Sequence, residues 1–429
     1  MIDSDNSKAT WTRRESVMFI CGLILLFVGA GIALLARRKG IDDFKYLYGL
    51  SRMLLYGLNA YHVPEYAGAN LAYLGLEYQP YPPAVGILLI PYALLPYKIA
   101  VACWTITIAA VFLLGTWTLC RFIIRGRHPG LVMLILGACM CSASFRHGIT
   151  SLQIAPVQVG LFGLFVVAVE RKHRSTMFLW ALLALGLKFT NGLPFLGLLL
   201  LRRRYATLGA VSAVFVAANL IGFARMGGIH VLADYQSNLL LVEWFPVNSP
   251  DPFLKDSLIR LDWEFLLNFF HIGAGAARLV SKLLIVLCLG WLVIEGRRVR
   301  SVHDTWDCLA AFAAPLTCVS MLSVYHHHYE AIFFIPLLLL YGFASDTIRS
   351  SMGVRLFAAM VLPFILLYSV PLVVPVGEHF GVVAAALYKS VGAIVATAAL
   401  FSSLAVLRSY VGGLACVTDE AWFPNPDVG

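Results

Sequence analysis

Apolar runs long enough to cross a lipid bilayer dominate this chain and restrict the folds it can adopt. The first covers residues 17–36, and a helix of ~20 apolar residues spans the hydrocarbon core of a membrane. It is too long for a signal-peptide core and ends in Arg37, Arg38 and Lys39 without a cleavage pattern, so we expect a retained span. Hydrophobic residues make up 60% of the chain and charged residues 13%. The sequence therefore predicts an all-α polytopic membrane protein.

The positive charges are concentrated on one predicted side of the membrane. The formal net charge is +9, and in a soluble protein this excess could indicate a nucleic-acid partner. Here more than half of the Lys and Arg residues fall in short loops and termini between apolar runs, which is typical of cytoplasmic loops. We therefore expect no nucleic-acid partner and place these segments on the cytoplasmic side.

The apolar segments give about twelve crossings, in a range of roughly 11–13. They form one membrane domain, residues 1–429, with a cytoplasmic tail at 409–429. The predicted spans are 17–36, 98–120, 129–146, 153–169, a pair within 176–201, 206–223, 276–296, 306–323, 329–344, 354–373 and 380–407.

Residues 177–201 form either one long helix or a helical hairpin, and the choice sets the topology of the rest of the chain. A single crossing would move the basic residues at 202–204 and 297–300 to the outer side, against the charge bias. A hairpin broken between Lys188 and Pro194 keeps both groups inside, although its halves are short at ~1.5 Å per residue. We predict the hairpin.

This topology places two long segments and one short turn on the outer face. The first outer segment, residues 37–97, suits interfacial helices and a proline-bent element. The second, residues 224–275, mixes aromatic, carboxylate and amide side chains. That mixture fits either an acceptor surface for a sugar or a solvated loop with interfacial tryptophans. The short turn is residues 325–330.

Two clusters of ionisable side chains lie on this outer face. Asp42 and Asp43 follow the first span, and residues 325–330 read Tyr-His-His-His-Tyr-Glu. Carboxylate and imidazole groups commonly move protons in catalysis, which indicates an enzyme. Alternatively, the aspartates are flanking charges and the histidines are a metal cluster or a chance interfacial patch. Consecutive residues turn by ~100° on a helix, so three adjacent histidines are unsuited to a tetrahedral metal site.

Lys188 is a cation within an otherwise apolar segment. Its burial is costly unless it is paired or hydrated. Its partner is expected to be an anionic lipid head group, or else the side chain extends to the outer interface. Arg146 and Gln153 lie at the outer ends of neighbouring spans and could line the same cavity.

Several short motifs occur in order along the chain: Asp43-Phe44 followed by tyrosines, Leu58-Asn59-Ala60-Tyr61, Tyr81-Pro82-Pro83 through Leu94-Leu95-Pro96, Gln153 at the head of a span, Leu187-Lys188 through Pro194 to Arg202-Arg203-Arg204, and Tyr325-His326-His327-His328. This order resembles glycosyltransferase family 87. The family comprises GT-C-type integral membrane enzymes and includes polyprenyl-phosphate-mannose-dependent mannosyltransferases. The resemblance covers roughly residues 17–345.

The resemblance implies a GT-C-like helical bundle with interfacial helices on its outer face. It also implies a transferase that moves one sugar, as in the family's mannosyltransferases, from a polyprenyl monophosphate carrier to a hydroxyl group of a glycolipid or glycan. Neither a nucleotide sugar nor a metal or other cofactor is expected. The enzyme would lie among the lipids of the cell membrane, with its active site on the extracytoplasmic side.

The resemblance also assigns roles to single residues. Asp43 takes the place of the family's presumed general base, although the adjacent Asp42 leaves the acting carboxylate open. His327 or a neighbour matches the outer-face histidine, and Lys188 matches the family's lysine. The residues expected to bind the donor phosphate are Lys188, His326, His328 and Arg146, and those expected to line the donor and acceptor cavity are Tyr46, Tyr81, Gln153 and Tyr325.

The chain departs from the family pattern at three positions. Leu152 stands where a glycine often precedes the glutamine, Phe189 replaces the proline after the lysine, and Tyr325 replaces a frequent tryptophan. These differences bear on the acceptor and the pocket geometry more than on the reaction class.

Two rival functions would use a similar set of residues. A lipid-linked-sugar flippase or transporter would use Lys188 and the broken hairpin as a substrate path, but no inverted repeat is evident. An enzyme resembling an O-antigen ligase would transfer a whole glycan from a diphosphate carrier. Whether the carrier is a monophosphate or a diphosphate distinguishes the transferase implied by the resemblance from the O-antigen-ligase-like enzyme.

Overall fold

The structure is a computed structural model that describes residues 12–36, 43–125, 128–245, 248–255, 257, 259–299, 302, 305–323, 326–368 and 373–422. The regular structure of these residues is helical, and one isolated antiparallel bridge joins Arg260 to His327. The predicted all-α class is therefore confirmed.

The helices alternate between long apolar segments and short connecting ones. The first seven are α1 (Arg13–Ala36), α2 (Phe44–Tyr56), α3 (Glu65–Gly68), α4 (Pro83–Leu88), α5 (Ile90–Ala93), α6 (Tyr97–Ile123) and α7 (Pro129–Cys141). The next seven are α8 (Ala143–Thr150), α9 (Ala155–Glu170), α10 (Arg174–Leu187), α11 (Phe189–Leu201), α12 (Tyr205–Arg225), α13 (His230–Trp244) and α14 (Trp263–Phe269). The last seven are α15 (Ala274–Arg298), α16 (Trp306–Ser323), α17 (Phe334–Gly342), α18 (Asp346–Arg349), α19 (Met352–Leu367), α20 (Val373–Phe380) and α21 (Val382–Trp422).

The longest apolar helices identify a multi-pass membrane protein. In the described part of the chain, six helices are long and apolar enough to span a bilayer: α1, α6, α12, α15, α16 and α21. The pair α7 and α8, bent by 59°, adds a seventh if it counts as one span. Five shorter apolar helices, α9, α10, α11, α19 and His328–Gly342, occupy the other predicted spans. The total of about twelve crossings therefore stays a prediction.

Helices α6 and α9 run side by side in the same direction. Near their starts, the indole N–H of Trp104 donates to the carbonyl oxygen of Leu152 at 3.0 Å. Near their ends, the Arg171 guanidinium lies 5.8 Å from the centre of the Phe122 ring. The two backbones meet at glycines, because a Cβ on Gly160 would overlap the carbonyl oxygen of Val111.

The close approach at Gly160 predicts a large effect from a single methyl group. We expect Gly160→Ala to destabilise the protein by about 1–3 kcal/mol, since the packed α6 backbone must move to admit the added carbon. Gly209→Ala on α12 is the matched control, because a Cβ there meets no atom within 4 Å. Thermal unfolding in detergent should show a lower melting temperature for the first variant only. Equal melting temperatures would contradict this packing.

Helices α10 and α11 form the predicted hairpin beside α9. At the start of α9, the Gln158 amide donates to the carbonyl oxygens of Ala184 at 2.9 Å and Lys188 at 3.1 Å, where α10 ends. At the end of α9, Glu170 accepts a hydrogen bond from Arg202, which directly follows α11. The two helices therefore run in opposite directions along α9. We call the end with Gln158 and Lys188 the polar end, and the end with Arg171 and Arg202 the basic end.

The break in the hairpin is narrower than predicted. Lys188 alone separates the helices, with an extended backbone at φ −153° and ψ 108°. Pro194 lies inside α11 and does not form the break, which corrects the predicted interval. Pro194 is the sixth residue of α11, so its missing N–H leaves the Thr190 carbonyl oxygen without a helical donor. The Ser320 hydroxyl donates to that oxygen instead, at 2.5 Å.

Two other predicted spans differ from the observed helices: the span 129–146 is broken at Ser142, between α7 and α8, and the last helix is longer than predicted. The first outer segment contains the short helices α2 to α5, as its mixed composition predicts. Helix α21 continues to Trp422, past the predicted end of the last span at 407. Residues 409–422 of the predicted tail are thus helical, and residues 423–429 lie outside the described residues.

Candidate active site

Asp43 lies at the polar end of the bundle, directly before α2. Its backbone N–H donates to the carbonyl oxygen of Ser151 at 3.2 Å. Its carboxylate accepts a hydrogen bond from the side-chain amide of Gln153, which is only 5% exposed. The structure therefore joins two predicted site residues from distant parts of the chain. Asp42 lies outside the described residues.

The turn that presents Gln153 explains one departure from the family pattern. Leu152 has a φ of +54°, in the left-handed region that glycine adopts freely and other residues enter at a cost of about 1–2 kcal/mol. Its side chain is buried, and its carbonyl oxygen accepts the Trp104 indole hydrogen bond. Packing and this hydrogen bond hold the leucine in a conformation suited to glycine.

Lys188 pairs with a protein carboxylate, Glu330. The Lys188 ammonium group is ion-paired with one oxygen of Glu330, and the other oxygen contacts Nδ1 of His326. Glu330 is 1% exposed and His326 is fully buried, whereas the Lys188 side chain is 23% exposed. A buried cation requires a nearby counter-charge, and Glu330 supplies it in place of the expected lipid head group.

Two buried amides hold the backbone at the hairpin break. Gln158 donates to the carbonyl oxygens of Ala184 and Lys188, which also accept backbone hydrogen bonds from Lys188 at 3.2 Å and Gly192 at 3.0 Å, respectively. The side-chain carbonyl oxygen of Gln158 in turn accepts a hydrogen bond from the side-chain amide of Asn191 at 2.8 Å. This chain of hydrogen bonds fixes the direction in which Lys188 leaves the backbone.

The histidine run is fixed against the second outer segment. His326 accepts a backbone hydrogen bond from Leu261 at 2.8 Å, and His328 donates one to Ile259 at 3.3 Å. All three histidines are buried, with exposures of 5% or less. His326 and His327 are not helical, and His328 begins a 3-10 turn, so the helical geometry assumed for the run is wrong.

Arg260 adds a buried cation beside this run. Its guanidinium donates to both carboxylate oxygens of Asp262, at 2.7 and 2.9 Å, and to the carbonyl oxygen of Asn248 at 2.7 Å. Burial, with Lys188 and Arg260 nearby, lowers the pKa of His327 to about 3. The His327 imidazole is therefore neutral at physiological pH and is suited to hydrogen bonding rather than to charge pairing.

His328 and Arg146 lie at the margin of the cluster. The His328 ring is 4.5 Å from the His147 ring, and the His147 ring stacks on Tyr329 at 6.0 Å. Arg146 precedes His147 on α8, and its buried Nε has no hydrogen-bond partner among the described residues. The roles of Arg146 and His328 as ligands of the donor phosphate remain predictions.

An aromatic pair lies next to Asp43 in the first outer segment. The rings of Tyr46 and Tyr78 stack at 5.1 Å with an interplanar angle of 24°. Burial, then Tyr78 and the Asp43 carboxylate, raise the pKa of Tyr46 well above its usual range, so its hydroxyl stays protonated. Gln79 is fully buried and donates to the Tyr46 carbonyl oxygen at 2.8 Å, which ties this pair to the start of α4.

Tyr81 and Tyr325 complete the predicted cavity residues. The Tyr81 carbonyl oxygen accepts from the Tyr61 hydroxyl at 2.9 Å, and its backbone N–H donates to Gln79 at 3.4 Å. Tyr81 is therefore held within the first outer segment. Tyr325 lies outside the described residues.

The site as a whole combines the Asp43 carboxylate with the Lys188 cation, its counter-ion Glu330 and a buried imidazole cluster. Asp43 is close enough to Lys188 to act on it electrostatically. A carboxylate can accept a proton, and a cation with imidazole donors can stabilise an anionic leaving group. Within the described residues, no group of three or more His, Cys, Asp or Glu side chains is arranged to hold a metal ion.

Sequence reasoning did not assign a role to Glu330 or to the Arg260–Asp262 pair. Glu330 follows His326 by four residues, and the need of Lys188 for a counter-ion could have indicated it. The bridge between Arg260 and His327 joins distant segments and has no local sequence signal.

A comparison with protein families matches a part of the chain that includes most residues of this site. Residues 78–327 match the family described as Glycosyltransferase family 87. Lys188, Gln153 and His327 lie within the match, whereas Asp43 and Glu330 lie outside it. A comparison with curated proteins finds no match.

Proposed function

The chain belongs to glycosyltransferase family 87, and we propose that it transfers one sugar, a mannose, from a polyprenyl monophosphate carrier to a hydroxyl group of a glycolipid or glycan. The membrane helices and the family membership support a membrane-bound glycosyltransferase. The donor, the sugar and the extracytoplasmic location of the site, in the cell membrane, belong to the proposal.

One observation carries the proposal: Asp43, Gln153, Lys188 and Glu330 meet at one end of the bundle. A base and a phosphate-binding cation are thereby brought within electrostatic reach of each other. The basic clusters at 171–174 and 202–204 lie at the other end, as expected if the polar end faces away from the cytoplasm.

The proposed reaction is a direct displacement at the anomeric carbon. Asp43 takes the proton of the acceptor hydroxyl as its oxygen forms a bond to that carbon. The bond between the anomeric carbon and the phosphate oxygen breaks, and polyprenyl phosphate leaves from the opposite face. One displacement inverts the anomeric configuration.

Lys188 serves the leaving group in this mechanism. The phosphodiester of the donor becomes a phosphomonoester, so negative charge grows on the phosphate as the bond breaks. A cation placed at that position stabilises the transition state more than the ground state. Glu330 holds Lys188 at the break between α10 and α11, and the neutral His327 imidazole adds a hydrogen-bonding group.

The donor class is tested by a panel of labelled carriers. The full-length protein in lipid nanodiscs is incubated with membrane-extracted acceptors and with mannose linked to polyprenyl monophosphate, to polyprenyl diphosphate or to a nucleotide. We expect labelled product from the monophosphate only, with an inverted anomeric configuration by nuclear magnetic resonance.

Other results would assign a different function. Product from the diphosphate carrier would favour the O-antigen-ligase-like enzyme. Movement of the lipid-linked sugar across the bilayer without product, tested with mannose and with other sugars, would favour the flippase.

A further inference from the structure

A groove of about 520 Å³ opens at the basic end of the bundle, beside the ends of α6 and α9. It is lined by Trp117, Thr118, Arg121, Phe122, Arg125 and Arg171. Three of these six residues are arginines, and none is acidic. The groove therefore presents concentrated positive charge to any ligand that enters it.

Aromatic rings hold two of the three guanidinium groups. The Arg121 guanidinium lies 5.7 Å from the centre of the Trp117 ring, and that of Arg171 lies 5.8 Å from the centre of the Phe122 ring. Such contacts stabilise a cation without neutralising it. The nearest acidic residue in sequence, Glu170, is already ion-paired with Arg202. The arginines thus keep their charge for an anion.

The groove is separate from the candidate active site. Arg171 directly follows α9, whereas Gln153 and Asp43 lie before its first residue. Helix α9 extends over 16 residues, and ~1.5 Å per residue places about 24 Å between its ends. A ligand in the groove therefore cannot be the sugar that reacts beside Asp43.

An apolar surface continues from the groove along α6. Leu114 is 56% exposed and precedes Arg121 by seven residues, which is two turns away on the same helix face. Ile106, 68% exposed, lies two further turns along. Cationic and aromatic side chains next to an exposed apolar helix face are the arrangement that fits a phosphate head group with acyl chains below it.

We propose that this groove binds the phosphate group of an anionic phospholipid in the leaflet at the basic end. The arginines contact the phosphate oxygens, and Trp117 lies at the level of the head group. The apolar face of α6 contacts the acyl chain. The site is independent of the proposed sugar transfer, so its test measures binding and not activity.

The test titrates the full-length protein in detergent with phosphatidylglycerol or phosphatidylcholine and counts bound lipids by native mass spectrometry. We expect tighter binding of phosphatidylglycerol. The double variant Arg121→Gln/Arg171→Gln should weaken it by about 10- to 30-fold, since each arginine near a membrane surface contributes ~1 kcal/mol. Arg174→Gln is the matched control, because Arg174 is an exposed arginine at the same end that does not line the groove.

Three outcomes decide the proposal. A loss of phosphatidylglycerol preference in the double variant but not in the control supports it. Unchanged preference in the double variant overturns it. A free anion is tested by adding millimolar inorganic phosphate: if phosphate displaces phosphatidylglycerol from the wild type and raises its melting temperature, and the double variant loses both effects, the groove binds free anions and the lipid assignment is overturned.

Discussion

Asp43→Asn is expected to lower the rate of sugar transfer by about 10²–10⁴-fold, the usual loss when a positioned general base is removed. The substitution keeps the shape of the side chain and an oxygen that accepts the hydrogen bond from Gln153. It removes the negative charge of the carboxylate and with it the ability to take the acceptor proton. The variant should therefore fold and bind donor like the wild type, with the loss in the turnover rate.

The control for this prediction is an exposed carboxylate elsewhere. Glu378→Gln on α20 changes the charge by the same amount at an exposed position. It should keep wild-type transfer. If Asp43→Asn keeps more than about a tenth of the wild-type rate, Asp43 is not the base.

Breaking the ion pair of Lys188 and Glu330 is expected to have the second largest effect. Lys188→Gln should reduce transfer by about 10²–10³-fold, because charge on the leaving phosphate loses its cation. Glu330→Gln should leave Lys188 without its counter-ion, and each single variant should lose roughly 3–5 kcal/mol of stability, because one charge is left unpaired. Transfer assays and thermal unfolding in detergent measure the two effects.

A double variant separates the structural role of the pair from its catalytic role. Lys188→Gln/Glu330→Gln removes both charges, so its melting temperature should exceed that of either single variant, while transfer stays low. Arg349→Gln is the control, because its pair with Asp346 is exposed and such pairs contribute about 0–1 kcal/mol. If Lys188→Gln transfers sugar at the wild-type rate, Lys188 has no role in the mechanism.

The helical class and the hairpin could be predicted from the sequence because both depend on local composition and charge. Long apolar runs require helices in a bilayer. The basic residues after α9 and after α11 were expected on the same side of the membrane, so the chain had to reverse its direction near Lys188. The topology and the resemblance place Asp43 and Gln153 in one site, whereas the hydrogen bond between them was not predicted, since no local pattern joins residues so far apart.

Other features depend on packing that the sequence does not express. The contact of Lys188 with Glu330 requires that the α10–α11 break and the turn after α16 meet in space. The extended backbone of His327 is imposed by its bridge to Arg260 and not by its own residue type. The left-handed conformation of Leu152 opposes the preference of leucine and arises from its buried surroundings.

The most direct test of the proposed chemistry is a single-turnover transfer of labelled mannose from polyprenyl monophosphate in nanodiscs, with wild type and Asp43→Asn side by side. Wild type should convert the carrier-linked label to acceptor-linked product with inversion, and the variant should bind the carrier without converting it. Equal conversion by both proteins would contradict the assigned base. Carrier binding without conversion by either protein, with every acceptor extract, would contradict direct transfer from the monophosphate.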